Sequence, residues 1–160
     1  YSILERGIES GILETSAREG IGQIVFSPLA QGALTGKYGA GQRPEQSRAN
    51  DPKRNRWMQD VLKDEVLARI DQLRPIADEL DCSLAQLALA WLLAKGDHIV
   101  PIPGTTSVLH LEEDLGAVDV QLSAEVMARL DALFAPGAIS GPRYNATNHA
   151  EIDTEDFPAA

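Results

Sequence analysis

The sequence predicts an α/β domain with parallel strands. Two short apolar runs, "GQIVFS" at 22–27 and "HIVPIP" at 98–103, are bounded by glycine and proline in the manner of buried parallel strands. Stretches with helical spacing separate and flank them, and that alternation is the mark of βα units. Two parallel strands do not make a domain, because their edges and faces need neighbours. The pattern therefore reads as part of a larger barrel or open sheet.

The elements follow in order. Residues 11–20 carry Ile12, Leu13 and Ala17 at helical spacing and stop at Gly20. After the first strand, 39–57 is rich in Gly, Pro, Gln, Arg and Asn and reads as a long surface loop, a kind of segment often functional in compact domains. Residues 60–80 keep an amphipathic stripe of Val61, Leu62, Val66, Leu67, Ile70, Leu73 and Leu80, with Pro75 placed to kink it. The next helix, "SLAQLALAWLLAKG", has Ser83 as N-cap and Gly96 as stop. Being apolar nearly all round, with Leu84, Leu87, Ala88, Trp91 and Leu92, it is predicted to be buried. Pro101 is predicted to end the second strand. Ser107 caps a helix over "VLHLEEDLGAV", and Ser123 caps another with Val126, Leu130 and Leu133 as its stripe. The stretch 135–160 reads as a loop or tail.

Composition excludes several classes. The chain has 160 residues and a formal net charge of −10, from 24 acidic and 14 basic side chains. Nucleic-acid surfaces need clustered Lys and Arg, and the one basic cluster, "DPKRNRW" at 51–57, reads as a solvated loop. The single Cys82 allows no intrachain disulfide, so a reducing, cytoplasmic setting is expected, with Cys82 as structural filler. No apolar run has the length of a membrane span. His98, His110 and His149 do not fall at metal-ligand spacing, and no metal site is expected. The chain opens "YSILERGIES", which reads as a chain joined in the middle.

Two stretches carry candidate chemistry. In "FSPLAQGALTGKY" (26–38), a loop leaves the end of a strand, where α/β proteins put their sites. Ser27 offers a hydroxyl and an N–H to an anion, Gly32 and Gly36 permit close backbone approach, and Lys37 adds positive charge. A loop that simply turns at its Pro and Gly residues fits equally. In "PGTTSVLHLEED", Gly104, Thr105, Thr106 and Ser107 stand before a helix whose first N–H groups and dipole favour phosphate. An over-provided N-cap is the other reading. His110, on nearly the same face as Ser107, is placed to touch a phosphate or to be an ordinary solvated histidine. Glu112, Glu113 and Asp114 sit awkwardly near a phosphate and suit a sugar or base instead.

Together the two stretches resemble the C-terminal half of the aldo-keto reductases. The helix at 83–96 and the late "GPRY" at 141–144 resemble that family too, so the likeness spans essentially the whole chain. It implies the C-terminal half of a TIM (β/α)8 barrel: residues 1–160 form a single partial domain, with strands seven (about 22–26) and eight (about 98–102). It also implies NADP(H)-dependent reduction of aldehydes and ketones to alcohols, with NAD(H) as the alternative cofactor.

Residue by residue, Phe26 matches the aromatic that stacks on nicotinamide. Ser27, Pro28 and Leu29 match the pyrophosphate-holding segment, and Gln31, Gly32 and Lys37 match a loop that can close over it. Gly104, Thr105, Thr106 and Ser107 match the loop at the adenosine ribose phosphate. His110 falls where many members have an Arg that grips that phosphate, and the exchange is expected to reduce NADPH preference. Asp114 falls at a position usually Asn that meets the adenine amino group, with Glu113 beside it. The family's catalytic Asp, Tyr, Lys and His have no counterpart here, and Tyr1, Tyr38 and Tyr144 are not at the matching place. The chain alone is therefore expected to be inactive and to partner a missing N-terminal half of the barrel, with a small aldehyde, ketone or alcohol as substrate. A non-catalytic NADP(H)-binding regulatory subunit, or an inactive fragment, is the alternative.

Overall fold

The computed structural model describes residues 1–39, 41, 44–45, 50, 62–136 and 138–139. Much of the predicted 39–57 loop, and from the tail "GPRY", Tyr144 and His149, lie outside the described residues, as does Val61.

Helix α1 (Ile12–Arg18) leads into strand β1 (Gln23–Phe26). Its end is a Schellman motif: the Ile21 N–H donates to the Ser16 carbonyl at 2.8 Å, and Gly20 takes the left-handed conformation (φ 67°) that this closure needs. The inward residue of α1 is Ser16, not Ala17, and its hydroxyl donates to the Ile12 carbonyl.

The predicted 60–80 helix is two helices, α2 (Asp64–Asp71) and α3 (Arg74–Glu79). Pro75 is the reason. It sits in the first turn of α3, where no N–H is required, so it starts a new helix and does not kink an old one. The stripe survives the break: Leu62, Val66, Leu67, Ile70 and Leu73 are all buried.

Helix α4 (Leu84–Leu93) is the centre of the core. Ser83 and Gln86 close a capping box at its start. Eight of its residues are buried, so the helix is enclosed nearly all round, as its sequence requires. Trp91 is fully buried; its indole N–H donates to Asp131 at 3.0 Å. The Arg6 guanidinium and the Lys95 ammonium lie 5.2 and 4.4 Å from the Trp91 ring centroid, tying the first residues of the chain to α4.

Strand β2 (Ile99–Ile102) runs parallel to β1 in the register Gln23↔Ile99, Ile24↔Val100, Val25↔Pro101 and Phe26↔Ile102. Pro101 therefore lies inside the strand, contrary to expectation. The Gln23 N–H donates to the His98 carbonyl, so the β2 donors facing β1 belong to Val100 and Ile102. Pro101 points its missing donor at the open edge, the one place a strand tolerates it. Helices α5 (Val108–Leu115) and α6 (Ala124–Leu133) follow, capped by Ser107 and Ser123 as predicted.

One expectation fails in an informative way. The strands read as buried on both faces. Val25 and Ile99 are buried, but Ile24, Phe26, Val100 and Ile102 are 70%, 53%, 49% and 51% exposed. Alternation puts these four on one face, and nothing described here covers it.

Candidate functional site

The strand register decides the site's geometry. Because Phe26 pairs with Ile102, both strands end level with one another. Parallel strands send their following loops out at the same end, so the loop from Ser27 and the loop from Pro103 leave side by side.

The first loop is wound tightly. Ser27, Ala30 and Gln31 have positive φ angles of 55°, 47° and 57°, and Gly32 has 95°. Three non-glycine residues in this region within five positions amount to a strained turn of the kind found at ligand clamps. It is held by the Ala30 N–H donating to the Ser27 carbonyl at 2.9 Å and the Gly32 N–H to the Leu29 carbonyl at 2.9 Å. Pro28 is fully buried. Leu29 and Ser27 are half-buried. Lys37 is exposed and lies 5.2 Å from the Tyr38 ring centroid. A Cβ on Gly32 would stand 2.8 Å from Lys37 Nζ, so the glycine lets the cation fold back over the loop.

The second loop carries its hydroxyls outward. Gly104, Thr105 and Thr106 are exposed, and Ser107 is half-buried. Thr105 Oγ1 accepts from the Ser107 N–H at 3.1 Å, and Ser107 Oγ accepts from the His110 N–H at 3.4 Å. His110 is exposed and Glu113 is half-buried.

Asp114 behaves differently. It is 9% exposed as a residue, and among the described residues its carboxylate has no hydrogen-bond or ion-pair partner. Burial raises its pKa above the usual carboxylate range, the Glu113 charge raises it further, and His110 opposes both.

Two features of this region were not legible in the sequence. The positive φ of Ala30 has no signal in its residue type, since alanine is not a left-handed former. The exposed apolar row did have one: Ile24, Phe26, Val100 and Ile102 sit at period two, and only the absence of a covering element turns that row into a surface.

Two adjacent parallel strands, each followed by a loop and helix, define an α/β protein, a class that places its ligand sites at the carboxyl ends of its strands. More particularly, the chain belongs to the Aldo/keto reductase family, whose model matches residues 1–135. It is 32% identical over 149 residues to the aldo-keto reductase str7 of Strobilurus tenacellus, covering 92% of this chain and 43% of that protein. It is 40% identical over 113 residues to a probable voltage-gated potassium channel subunit beta of Arabidopsis thaliana, covering 71% of this chain and 34% of that one.

Among solved structures, the thermostable aldo-keto reductase Tm1743, in complex with epalrestat, matches with a TM-score of 0.59 at 30% identity, over 83% of this chain and 37% of its own. An aldo-keto reductase from Klebsiella pneumoniae in complex with NADPH matches with a TM-score of 0.57 at 25% identity, over 84% of this chain and 37% of its own. The chain thus spans 43% or less of the length of each of these relatives. Among the described residues, no helix is long and apolar enough to cross a membrane.

Proposed function

We propose that this chain forms the dinucleotide-binding end of an NADP(H)-dependent aldehyde or ketone reductase, and that its two strands are the seventh and eighth of a (β/α)8 barrel. The observation that carries this reading is the Phe26↔Ile102 register, which sets the two candidate loops side by side. The residues suit the cofactor chemically. A strained turn rich in backbone N–H groups, a hydroxyl cluster at a helix start and a partnerless carboxylate are a donor and acceptor set for phosphates, ribose and an amino-bearing base.

Phe26, exposed on the sheet face, offers its ring to the flat nicotinamide. Ser27, the Pro28 backbone, Leu29 and Gln31 border the pyrophosphate, with Gly32 and Lys37 folding over it. Gly104, Thr105, Thr106 and Ser107 hold the adenosine phosphate with His110, while Glu113 and Asp114 meet the ribose and adenine. NADP(H), when bound, supplies hydride for a carbonyl carbon. Among the described residues, neither Tyr1 nor Tyr38 suits the role of proton donor to the carbonyl oxygen. Tyr1 is buried and hydrogen-bonded to Glu9, and both effects raise its pKa. Tyr38 is buried as well.

The exposed row of Ile24, Phe26, Val100 and Ile102 supports a sheet that continues into further strands. Fluorescence titration of the purified chain with NADPH tests the reading. Saturable binding is expected, weakened several-fold in Phe26→Ala by loss of ring stacking, with no reduction of glyceraldehyde. Absence of NADPH binding would overturn the cofactor assignment; robust turnover would overturn the claim that the proton donor lies elsewhere.

A second reading draws on the 40% identity to the potassium channel subunit beta. Here the chain is part of a regulatory subunit that holds the cofactor and reports its redox state. Both readings expect NADPH binding. They part in the full-length protein, where an enzyme turns over carbonyl substrates and a pure sensor does not.

A further inference from the structure

One cluster of charged side chains belongs to neither candidate loop. Arg6 donates to Glu9 through Nε at 3.0 Å and Nη2 at 2.7 Å, and its Nη1 lies 3.1 Å from Asp131. Lys95 Nζ lies 3.0 Å from Asp131 and 3.6 Å from Glu9. Both cations lie over the Trp91 ring, whose indole N–H is on the same Asp131. Two acids and two bases are thus locked around one buried indole, and Glu9 is gripped from two sides.

The cluster reaches Tyr1. The Tyr1 ring is buried with its centroid 5.5 Å from that of Trp91, and its hydroxyl donates to Glu9 Oε1. Burial raises the pKa of this hydroxyl, and the bond to Glu9 and the Glu9 charge raise it further, so it stays a donor. At its other end, the Tyr1 nitrogen donates to the Phe26 carbonyl at 3.2 Å.

The strand register gives that last bond its weight. The Gln23 N–H is on the His98 carbonyl, so Gln23 and Val25 turn their backbone groups toward β2. Ile24 and Phe26 turn theirs to the opposite side, where Tyr1 stands. The next residue, Ser27, is already left-handed, with φ 55°. Phe26 therefore sits where the β1–β2 ladder stops and the strained turn starts, and Tyr1 holds its carbonyl there.

We propose, resting on the reading of Phe26 given above, that Tyr1 and Glu9 are positioning residues for the nicotinamide. The cations fix Glu9, Glu9 fixes the Tyr1 hydroxyl, and Tyr1 fixes the backbone from which the Phe26 ring projects. Stacking of flat rings depends on their separation and offset, so a platform held at its backbone stacks better than one free to shift.

Titration of the purified chain with NADPH and with 2′,5′-ADP, which carries the adenosine half and no nicotinamide, tests the proposal. Tyr1→Phe keeps the ring and removes the hydroxyl. It is expected to weaken NADPH about fivefold, the contribution of one hydrogen bond, and to leave 2′,5′-ADP unchanged. Glu9→Ala is expected to do the same, while Glu9→Gln, which keeps an acceptor for the hydroxyl, restores most of the NADPH affinity. Adding Tyr1→Phe to Phe26→Ala is expected to cause no further loss, because the two act through one ring.

A loss shared equally by both ligands marks a merely structural cluster and would overturn the positioning role, as would no loss in Tyr1→Phe and Glu9→Ala, or a further loss in the double variant. Each of these leaves the cofactor site standing. A wild type that bound neither NADPH nor 2′,5′-ADP would instead remove the site itself, and the inference with it.

Discussion

Asp81 occupies a left-handed conformation, φ 51°, at the junction of α3 and α4. The Cys82 N–H donates to the Ala77 carbonyl at 3.0 Å and the Asp81 N–H to the Asp78 carbonyl at 3.2 Å, so this is the same closure that Gly20 serves after α1. At Asp81 a Cβ pays for it. Asp81→Gly is expected to stabilise the chain by about 0.5–1 kcal/mol, read as a higher urea midpoint at unchanged slope. A lower midpoint would mean that the aspartate side chain contributes more than its backbone strain costs.

Asp114 gives a second residue-scale expectation, with a definite sign. Its folded-state pKa is raised, by burial first and by Glu113 second, so folding favours the neutral carboxyl. The stability it contributes is fully present below the ordinary carboxylate pKa and is lost as pH rises through the elevated value. Asp114→Asn, which cannot ionise, is therefore expected to be more stable than the wild type at neutral pH, with the difference vanishing in acid. Urea midpoints across that range check it; a variant less stable at neutral pH would reveal a partner for the charged form.

At the scale of elements, the caps carry the argument. Ser83 accepts from the Gln86 N–H at 3.2 Å while the Ser83 N–H donates to Gln86 Oε1 at 3.0 Å. Ser83→Ala should cost about 1 kcal/mol, and because α4 is the central helix of the core, the loss should appear as global destabilisation and not as local fraying. Native-state hydrogen exchange separates these outcomes: a loss confined to the first turn of α4 would contradict its central place.

The same caps explain why so much was legible beforehand. Ser83, Ser107 and Ser123 announce their helices by residue type, and Gly20 announces an end. The break at Pro75 was visible as an interruption but not as a restart, because proline's two uses differ only in whether a turn precedes it. The place of Pro101 is illegible for a comparable reason: whether a strand tolerates proline depends on which edge is paired, and pairing is not local. The strained turn at Ser27–Gly32 was half legible, through its glycine and its place after a strand. The left-handed Ala30 and the burial of Asp114 are set by tertiary packing, so nothing in their neighbours betrays them.

For the whole molecule, the question is what its exposed apolar surface does in water. Ile24, Phe26, Val100 and Ile102 form one row on the sheet, and Val108, Leu109, Leu111, Leu115 and Val118 are exposed on α5 and the turn after it. Soluble monomers seldom leave such rows uncovered, and a surface of this kind marks a place where other structure packs. In isolation the chain is therefore expected to bind an apolar dye such as ANS and to self-associate as concentration rises. Ile24→Thr combined with Val100→Thr should reduce both effects. It leaves Val25 and Ile99, the buried side of the same strands, untouched, so the circular dichroism spectrum should not change. Sedimentation and dye titration on the two proteins give the comparison. A wild-type chain that stayed monomeric and dye-free at high concentration would mean that the row is covered within the chain itself. The case for further strands packing on this sheet would then lose its main support, while the pairing of the two loops at the strand ends would stand, since it rests on the register of β1 and β2 alone.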